Sequence, residues 1–444
     1  MIWSKFMVDP TFTVVESTRY SIEKIPFPAI SVCDTEMVYR PNTENITNIL
    51  QLRGYNSTQI DEFYKSFSEV KSKDYKPEPI MKKMHSILQD LGYSYDVLLD
   101  ELKKPCNVIL QQCSWRSKLN DCADMFRQVF TLVGYCCQFD IRHFRNHAKK
   151  DTNFVSGIEI TEALDIIINS RRDVSEEGSN EGYVLLYVFD ELDNLTLLDS
   201  SITITPSTYS DVTIEVWTID SSSDVRALSL KNRKCVLNQD HGENARSYQN
   251  CVTRLIMKKV VENCRCLPFR YKSEDLQVEE LPACPWHQLP CIYQTLERVQ
   301  GDIRAMIPEE ACYQKCDYVQ YETEAEYVNQ GRNLKISKGY SRVAVHFSDD
   351  TCMKYRREVL YTWDQMLANL GGIFGLCLGG SIISIIEILW FALELLYTTV
   401  VVSRKKITTQ GKIGKRARLA RKKDFVSKIS PENHLGNGRY RFVN

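Results

Sequence analysis

Runs of apolar residues with strand or helix spacing divide most of the chain into elements of a mixed fold. Residues 8–33 alternate between apolar and polar positions and contain Pro26 and Pro28, which predicts an extended segment. Further strands are predicted at 183–189, 201–205, 212–219 and 334–347. Helical spacing predicts helices at 58–70, 79–91, 248–263 and 289–306. The pattern therefore predicts an α+β fold with no internal repeat.

A second pattern follows near the carboxyl end, where residues 370–402 are almost continuously apolar. The only charges in this run are Glu387 and Glu394. A membrane-spanning helix needs about 20 residues, so 33 helical residues would be longer than one simple span. Either the outer end of the run projects from the bilayer, or the run is broken at its glycines.

One face of this run carries its small and polar residues. At 100° per residue, Gly380, Ser384, Glu387 and Glu394 fall within about 80° of one another on a helix. A carboxylate in a membrane helix is costly unless it faces water or a partner. Two alternatives stay open from the residues alone, which are close helix packing for the glycines and an interhelical hydrogen bond for Glu387.

Charge is distributed unevenly on the two sides of the apolar run. Residues 403–444 carry 13 Lys and Arg against two acids, a net charge of +11, whereas residues 1–402 carry −12. The positive-inside rule therefore predicts a cytoplasmic tail and places residues 8–362 outside the cell. Residues 1–7 do not resemble a signal peptide, and we expect them to be the end of a truncated first membrane span.

The cysteines support the same topology. Sixteen cysteines, fifteen of them before residue 353, are typical of an oxidising compartment. Three glycosylation sequons, at Asn45, Asn56 and Asn194, lie on the same side of the apolar run. We predict four parts: a span end at 1–7, a cysteine-rich extracellular domain at 8–362, a pre-pore and transmembrane helix at 363–402, and a basic tail at 403–444.

Four local motifs together resemble the degenerin/epithelial sodium channel family, most closely its insect pickpocket branch. They occur in the family's order: IPFPAISVC at 25–33, GYCCQFD at 134–140, the cysteine series that begins with CRCLP at 264–268, and the glycine-rich GGIFGLCLGGS at 371–381 followed by Ser384 and Glu387. Asp140 stands where the family usually has Asn. The resemblance implies a membrane protein with a disulfide-rich, hand-shaped ectodomain, which has a β core with peripheral helices.

The resemblance also implies roles for individual residues. Gly379, Gly380 and Ser381 match the family's Gly-x-Ser selectivity filter, and Ser384 and Glu387 are expected to line the pore. Ala368 matches the position where a small side chain permits the pore to close.

Disulfide pairing is implied by the same resemblance. The implied pairs are Cys33–Cys136, Cys113–Cys122, Cys235–Cys316, Cys251–Cys312, Cys264–Cys291 and Cys266–Cys284. A further pair, Cys106–Cys137, is inferred because both cysteines look like additions of the pickpocket branch. Cys352 and Cys377 are then left unpaired, and no metal site is expected.

The function implied is a subunit of a trimeric, sodium-selective, amiloride-sensitive channel of the plasma membrane. Its expected partners are sodium ions, membrane lipids and identical or related channel subunits, with no cofactor and no nucleic acid. The alternative is a non-conducting receptor or accessory subunit with a degenerate pore, against which the intact Gly-Gly-Ser and Glu387 argue. An enzyme is not expected, because no nucleophile–histidine–acid set or metal motif can be assembled around the seven histidines.

Overall fold

The chain divides into two compact units, Met1–Leu360 and Tyr361–Asn444. In the computed structural model, the residues that the structure describes are 10–69, 78–147, 157–171, 182–193, 195, 199–237, 239–240, 248–268, 271–301, 311–328, 338–379 and 383–402. The predicted span end at 1–7, the basic tail at 403–444 and the sequon residue Asn194 lie outside these ranges.

The described part of the first unit mixes strands and helices, as the sequence pattern predicts. Its strands are β1 (Thr11–Ser21), β2 (Ala29–Asp34), β3 (Leu110–Trp115), β4 (Lys118–Asn120), β5 (Phe126–Thr131), β6 (Gly134–Phe139), β7 (Leu164–Asn169), β8 (Val184–Phe189), β9 (Ser201–Ile204), β10 (Tyr209–Ser221), β11 (Tyr318–Val328), β12 (Tyr340–Phe347) and β13 (Thr351–Val359). Its helices are α1 (Glu44–Leu52), α2 (Ser57–Glu69), α3 (Pro79–Asp90), α4 (Tyr95–Leu102), α5 (Cys106–Ile109), α6 (Cys122–Met125), α7 (Ile141–His147), α8 (Ser223–Ala227), α9 (Leu230–Arg233), α10 (Tyr248–Cys264), α11 (Ser273–Leu276) and α12 (Leu289–Gly301).

Among these residues the strands form two sheets. The larger has the order β1-β13-β10-β12-β7-β3-β4, with β11 also paired to β10. The long strand β10 runs parallel to β12 along its first half and parallel to β13 along its second half. The smaller sheet has the order β5-β6-β2-β8-β9, with β2 at its centre and almost fully buried.

The segment predicted as one extended stretch at 8–33 is divided between the two sheets. Strand β1 pairs with β13 in the larger sheet, and β2 pairs with β6 and β8 in the smaller one. A short 3-10 turn, Ile22–Lys24, and the two prolines separate them. Proline has no N–H to give to a sheet ladder, so the extended chain leaves one sheet here and enters the other.

A cluster of aromatic rings contributes to the core that the strands bury. The ring of Phe27, which directly precedes β2, meets Trp115, Phe139 and Phe347 edge to face, with centroids 5.0, 5.9 and 5.6 Å away. These four side chains are almost completely buried. Edge-to-face contacts of this kind add to the free energy gained from burial, so the Phe27 motif fixes strands of both sheets to one core.

A second core is formed by helices. It contains apolar side chains of α1–α4 together with those of α10 and α12. The predicted helices at 58–70, 79–91 and 248–263 are α2, α3 and α10. The helix predicted at 289–306 is α12, which the structure describes as far as Gly301.

All sixteen cysteines lie among the described residues, and fourteen of them form seven disulfides. The pairs are those implied by the resemblance, together with the inferred pair: Cys33–Cys136, Cys106–Cys137, Cys113–Cys122, Cys235–Cys316, Cys251–Cys312, Cys264–Cys291 and Cys266–Cys284. Cys352 is buried with a free thiol, and Cys377 is exposed with a free thiol. Cross-links of this density restrict the unfolded chain and so stabilise the folded unit.

The helical core holds one buried histidine, which predicts how the first unit responds to acid. The imidazole of His85 in α3 stacks on Trp286 with centroids 3.7 Å apart, and its Nε2 has no hydrogen-bond partner. Burial lowers the pKa of His85 from its ordinary 6.5 to about 4. The neutral ring is therefore the form that the folded core accepts.

We expect the helical core to lose stability as the pH falls from 6.5 towards 4. The unfolded chain binds a proton at His85 in this window and the folded chain does not, so the loss approaches about 3 kcal/mol near pH 4. His85→Phe keeps an aromatic ring against Trp286 and should remove this part of the pH dependence. The measurement is the thermal unfolding midpoint of both proteins between pH 7 and pH 4. Equal slopes for the two proteins would contradict the assignment to His85.

Candidate functional site

Helix α13 (Trp363–Leu378) opens the described part of the second unit. Thr362 caps its first turn, and the backbone N–H of Thr362 donates to Oε1 of Gln365 at 3.3 Å. This reciprocal arrangement satisfies amide groups that have no partner inside the helix. Ala368, the predicted gating residue, lies in the second turn of α13 and is exposed in the single chain.

The long apolar run is interrupted directly after α13. Gly379 adopts a left-handed backbone conformation with φ of +60°, which ends the helix at Leu378. A side chain at this position would meet no atom within 4 Å, so glycine is favoured here by backbone conformation and not by a shortage of space. Of the two alternatives for the 33-residue run, the structure has the break at a glycine. Gly380 and Ser381, the other two predicted filter residues, lie outside the described residues.

A second helix, α14 (Ile383–Val402), follows the break. It has 20 residues and a mean hydropathy of 2.0, and within the described residues it is the single helix long and apolar enough to cross a membrane. At 1.5 Å per residue it is about 30 Å long, which matches the hydrocarbon core of a bilayer.

The polar residues of α14 lie along one stripe. Ser384, Glu387, Glu394 and Thr398 fall within about 80° of one another at 100° per residue. The opposite face is wholly apolar and exposed in the single chain: Ile385, Ile386, Leu389, Leu393, Leu396 and Val400. Such a helix can turn its apolar face to lipid or to other helices and its stripe to water. Thr398 was not predicted from the sequence, although the same 100° count places it on the stripe.

Two predicted glycosylation sites are described, and both are exposed. Asn45 lies in α1, and its side-chain amide donates to the Tyr93 hydroxyl at 3.0 Å. Asn56 directly precedes α2, where its Oδ1 accepts from the backbone N–H of Gln59 at 2.9 Å. Their exposure is compatible with glycosylation on the cysteine-rich side.

A disulfide-stapled α and β unit, followed by an apolar segment with a glycine break and one polar stripe, defines a membrane protein of the channel class. The family model described as "Amiloride-sensitive sodium channel" matches residues 1–391. The chain belongs to the amiloride-sensitive sodium channel family. Members of this family are plasma-membrane ion channels, so the chain is not an enzyme.

Similar individual proteins come from flies and agree with this family. The chain is 22% identical over 428 residues to sodium channel protein Nach of Drosophila ananassae, covering 91% of this chain and 80% of that protein. It is 21% identical over 417 residues to Nach of Drosophila melanogaster, covering 86% of this chain and 76% of the relative. It is 18% identical over 399 residues to Pickpocket protein 11 of the same species, covering 86% and 65%. The resemblance to the pickpocket branch is thereby confirmed.

Proposed function

We propose that the chain is a subunit of a trimeric, sodium-selective, amiloride-sensitive cation channel of the plasma membrane, opened by an extracellular stimulus. The observation that carries this proposal is the division of the apolar run at left-handed Gly379, immediately before a membrane-length helix with one polar stripe. The names of the similar fly proteins support sodium as the permeant ion. Identical or related chains complete the assembly.

The selectivity filter in this proposal consists of Gly379, Gly380 and Ser381. A helix that stops at Leu378 frees backbone carbonyl groups near the break, because the last carbonyls of a helix have no partner within it. Carbonyl oxygens can replace part of the hydration shell of a cation, and small residues let three chains approach closely.

The pore below the filter is lined by Ser384 and Glu387, which share the stripe of α14. Glu387 lies in the second turn of the helix and is exposed in the single chain. Three such carboxylates around an axis form an anionic ring that concentrates cations and disfavours anions.

The proposed topology places residues 8–362 outside the cell and residues 403–444 in the cytoplasm. The disulfides of the first unit require an oxidising compartment, and the net charge of +11 on the tail favours the cytoplasmic side. The tail can also contact anionic lipids of the inner leaflet, at about 1 kcal/mol per basic residue near the surface.

The proposal is tested by recording the full-length protein with sodium and potassium as alternative external cations. Sodium current that amiloride blocks is expected. In a Cys377→Ser background, which removes the exposed thiol of α13, Ser381→Cys should permit block by external cationic thiol reagents or alter the permeability ratio. Leu389→Cys, on the apolar face of α14, is the matched control and should do neither.

Two results would contradict parts of this proposal. Unchanged permeability together with no thiol block would remove Ser381 from the filter. Surface-labelled protein that carries no current, alone or with related subunits, would contradict conduction and favour the accessory role.

A further inference from the structure

The second carboxylate of α14 has no role in the filter or in the ring at Glu387. Glu394 is the twelfth of the 20 residues of α14, so it lies about 16 Å from Ile383, near the middle of the helix. Glu387 lies only about 6 Å from the same end. A short carboxylate side chain at mid-depth cannot reach either membrane surface, so it must face water or a partner inside the membrane.

The chain supplies no counter-charge for Glu394 within its membrane segment. No Lys, Arg or His occurs between Trp363 and Val402. The nearest hydroxyl along the stripe belongs to Thr398, one turn further, and it donates to the backbone carbonyl of Leu395 at 2.9 Å. The charge of Glu394 is therefore left to water and to cations that arrive from solution.

The direction of Glu394 on the helix separates it from the lipid-compatible face. It lies within about 20° of Glu387 at 100° per residue, and about 160° from Leu396. A rotation of α14 that brings Glu387 to a central axis therefore brings Glu394 to the same axis. Phe391 lies on the stripe between the two carboxylates and separates their levels by one aromatic ring.

We propose that Glu394 forms a second cation-binding level in the conduction path, about 10 Å further along α14 from Glu387, with hydrated monovalent cations as its ligand. This inference rests on the proposed channel function and adds a site to it. Two levels at this separation hold two cations whose mutual repulsion is partly screened, so that ions can enter and leave in turn. Glu394 thus controls how cations pass between the filter and the cytoplasm.

Accessibility of position 394 is tested first, by a measurement that needs no current. Glu394→Cys and the control Leu396→Cys are made in the Cys377→Ser background, and inside-out vesicles are treated with an impermeant cationic thiol reagent. The Glu394→Cys protein should be labelled at least about tenfold faster, because its thiol faces water where a negative field also attracts the reagent. Equal, slow labelling of the two proteins would overturn the inference.

Conduction is tested second, in single-channel recordings of the full chain. Glu394→Gln should lower the unitary conductance roughly two- to tenfold and weaken block by cytoplasmic Mg²⁺, since an anionic level raises the local concentration of cations. Glu394→Asp, which keeps the charge, should retain most of the conductance. Unchanged conductance and Mg²⁺ block in Glu394→Gln would overturn the inference.

Failure of this inference is distinguishable from failure of the proposed function. A wild-type channel that conducts, combined with an inert Glu394→Gln and an unlabelled Glu394→Cys, removes only the second level. A chain that reaches the surface and carries no current contradicts the channel assignment, while the labelling comparison still decides whether position 394 faces water.

Discussion

Ala368→Val is expected to give a standing cation current in the absence of any stimulus. Ala368 lies on α13, ten residues before the last residue of that helix, and matches the family position where a small side chain is kept. Helices that converge on an axis close tightly only when the residues between them are small. Two extra methyl groups at such a contact cost about 1–3 kcal/mol.

The expected effect is large because three chains carry the substitution. A penalty of about 2 kcal/mol per chain, confined to the closed state, amounts to about 6 kcal/mol over the trimer. This exceeds the roughly 5.5 kcal/mol that converts a 1:99 equilibrium into 99:1. Ala368→Ser adds one small atom and should leave the channel closed at rest.

The measurement is whole-cell recording of the full-length protein, with surface labelling to show that each variant is delivered. A valine variant that reaches the surface and remains silent would exclude this role for Ala368 or show that conduction requires a related subunit. Co-expression of a pickpocket-type subunit separates these two outcomes.

Lys104→Met is expected to destabilise the first unit by about 3–5 kcal/mol, the usual cost of removing one partner of a buried ion pair. Nζ of Lys104 lies 3.0 Å from Oδ2 of Asp34 and 3.6 Å from Oε2 of Glu36, and it donates to the carbonyl of Arg171 at 3.0 Å. The three charged side chains are almost completely buried. Methionine fills similar space but leaves two buried carboxylates without their cation.

The neighbouring residue provides the control for this substitution. Lys103 pairs with Asp100 at 2.5 Å, but both side chains are partly exposed. Lys103→Met should therefore cost less than about 1 kcal/mol. The readouts are the thermal unfolding midpoint in detergent and the fraction of protein delivered to the surface. Equal effects of the two substitutions would show that the buried charges contribute no more than the exposed ones.

Several elements were predictable from the sequence because their signals are local. Helices α2, α3 and α10 follow from apolar spacing, and the limits of the membrane-length run follow from its composition. Strand β11 was not predicted, although Glu322, Glu324 and Glu326 alternate with Tyr321 and Ala325 in a strand pattern. Its register against β10 places Glu215 directly opposite Glu322, a like-charge pair that sequence reasoning does not anticipate.

Other features depend on residues that are distant in the sequence. Nothing in the local sequence indicates that Lys104 meets Asp34, or that His85 stacks on Trp286, because these partners lie about 70 and 200 residues apart. Each contact forms only when separate elements pack together. The pKa of His85 follows from that packing and is therefore a property of the tertiary structure.

For the membrane segment, the sequence by itself determined the position, the length and the polar stripe of the helix, because hydropathy and a 100° repeat are written along the chain. It left open whether the 33-residue run was one projecting helix or two shorter ones. The tertiary structure decided this through the left-handed conformation of Gly379, which ends α13 and lets α14 begin as a separate helix of about 30 Å. The physical reason is that glycine tolerates both the helical and the left-handed conformation, so only the folded chain selects between them.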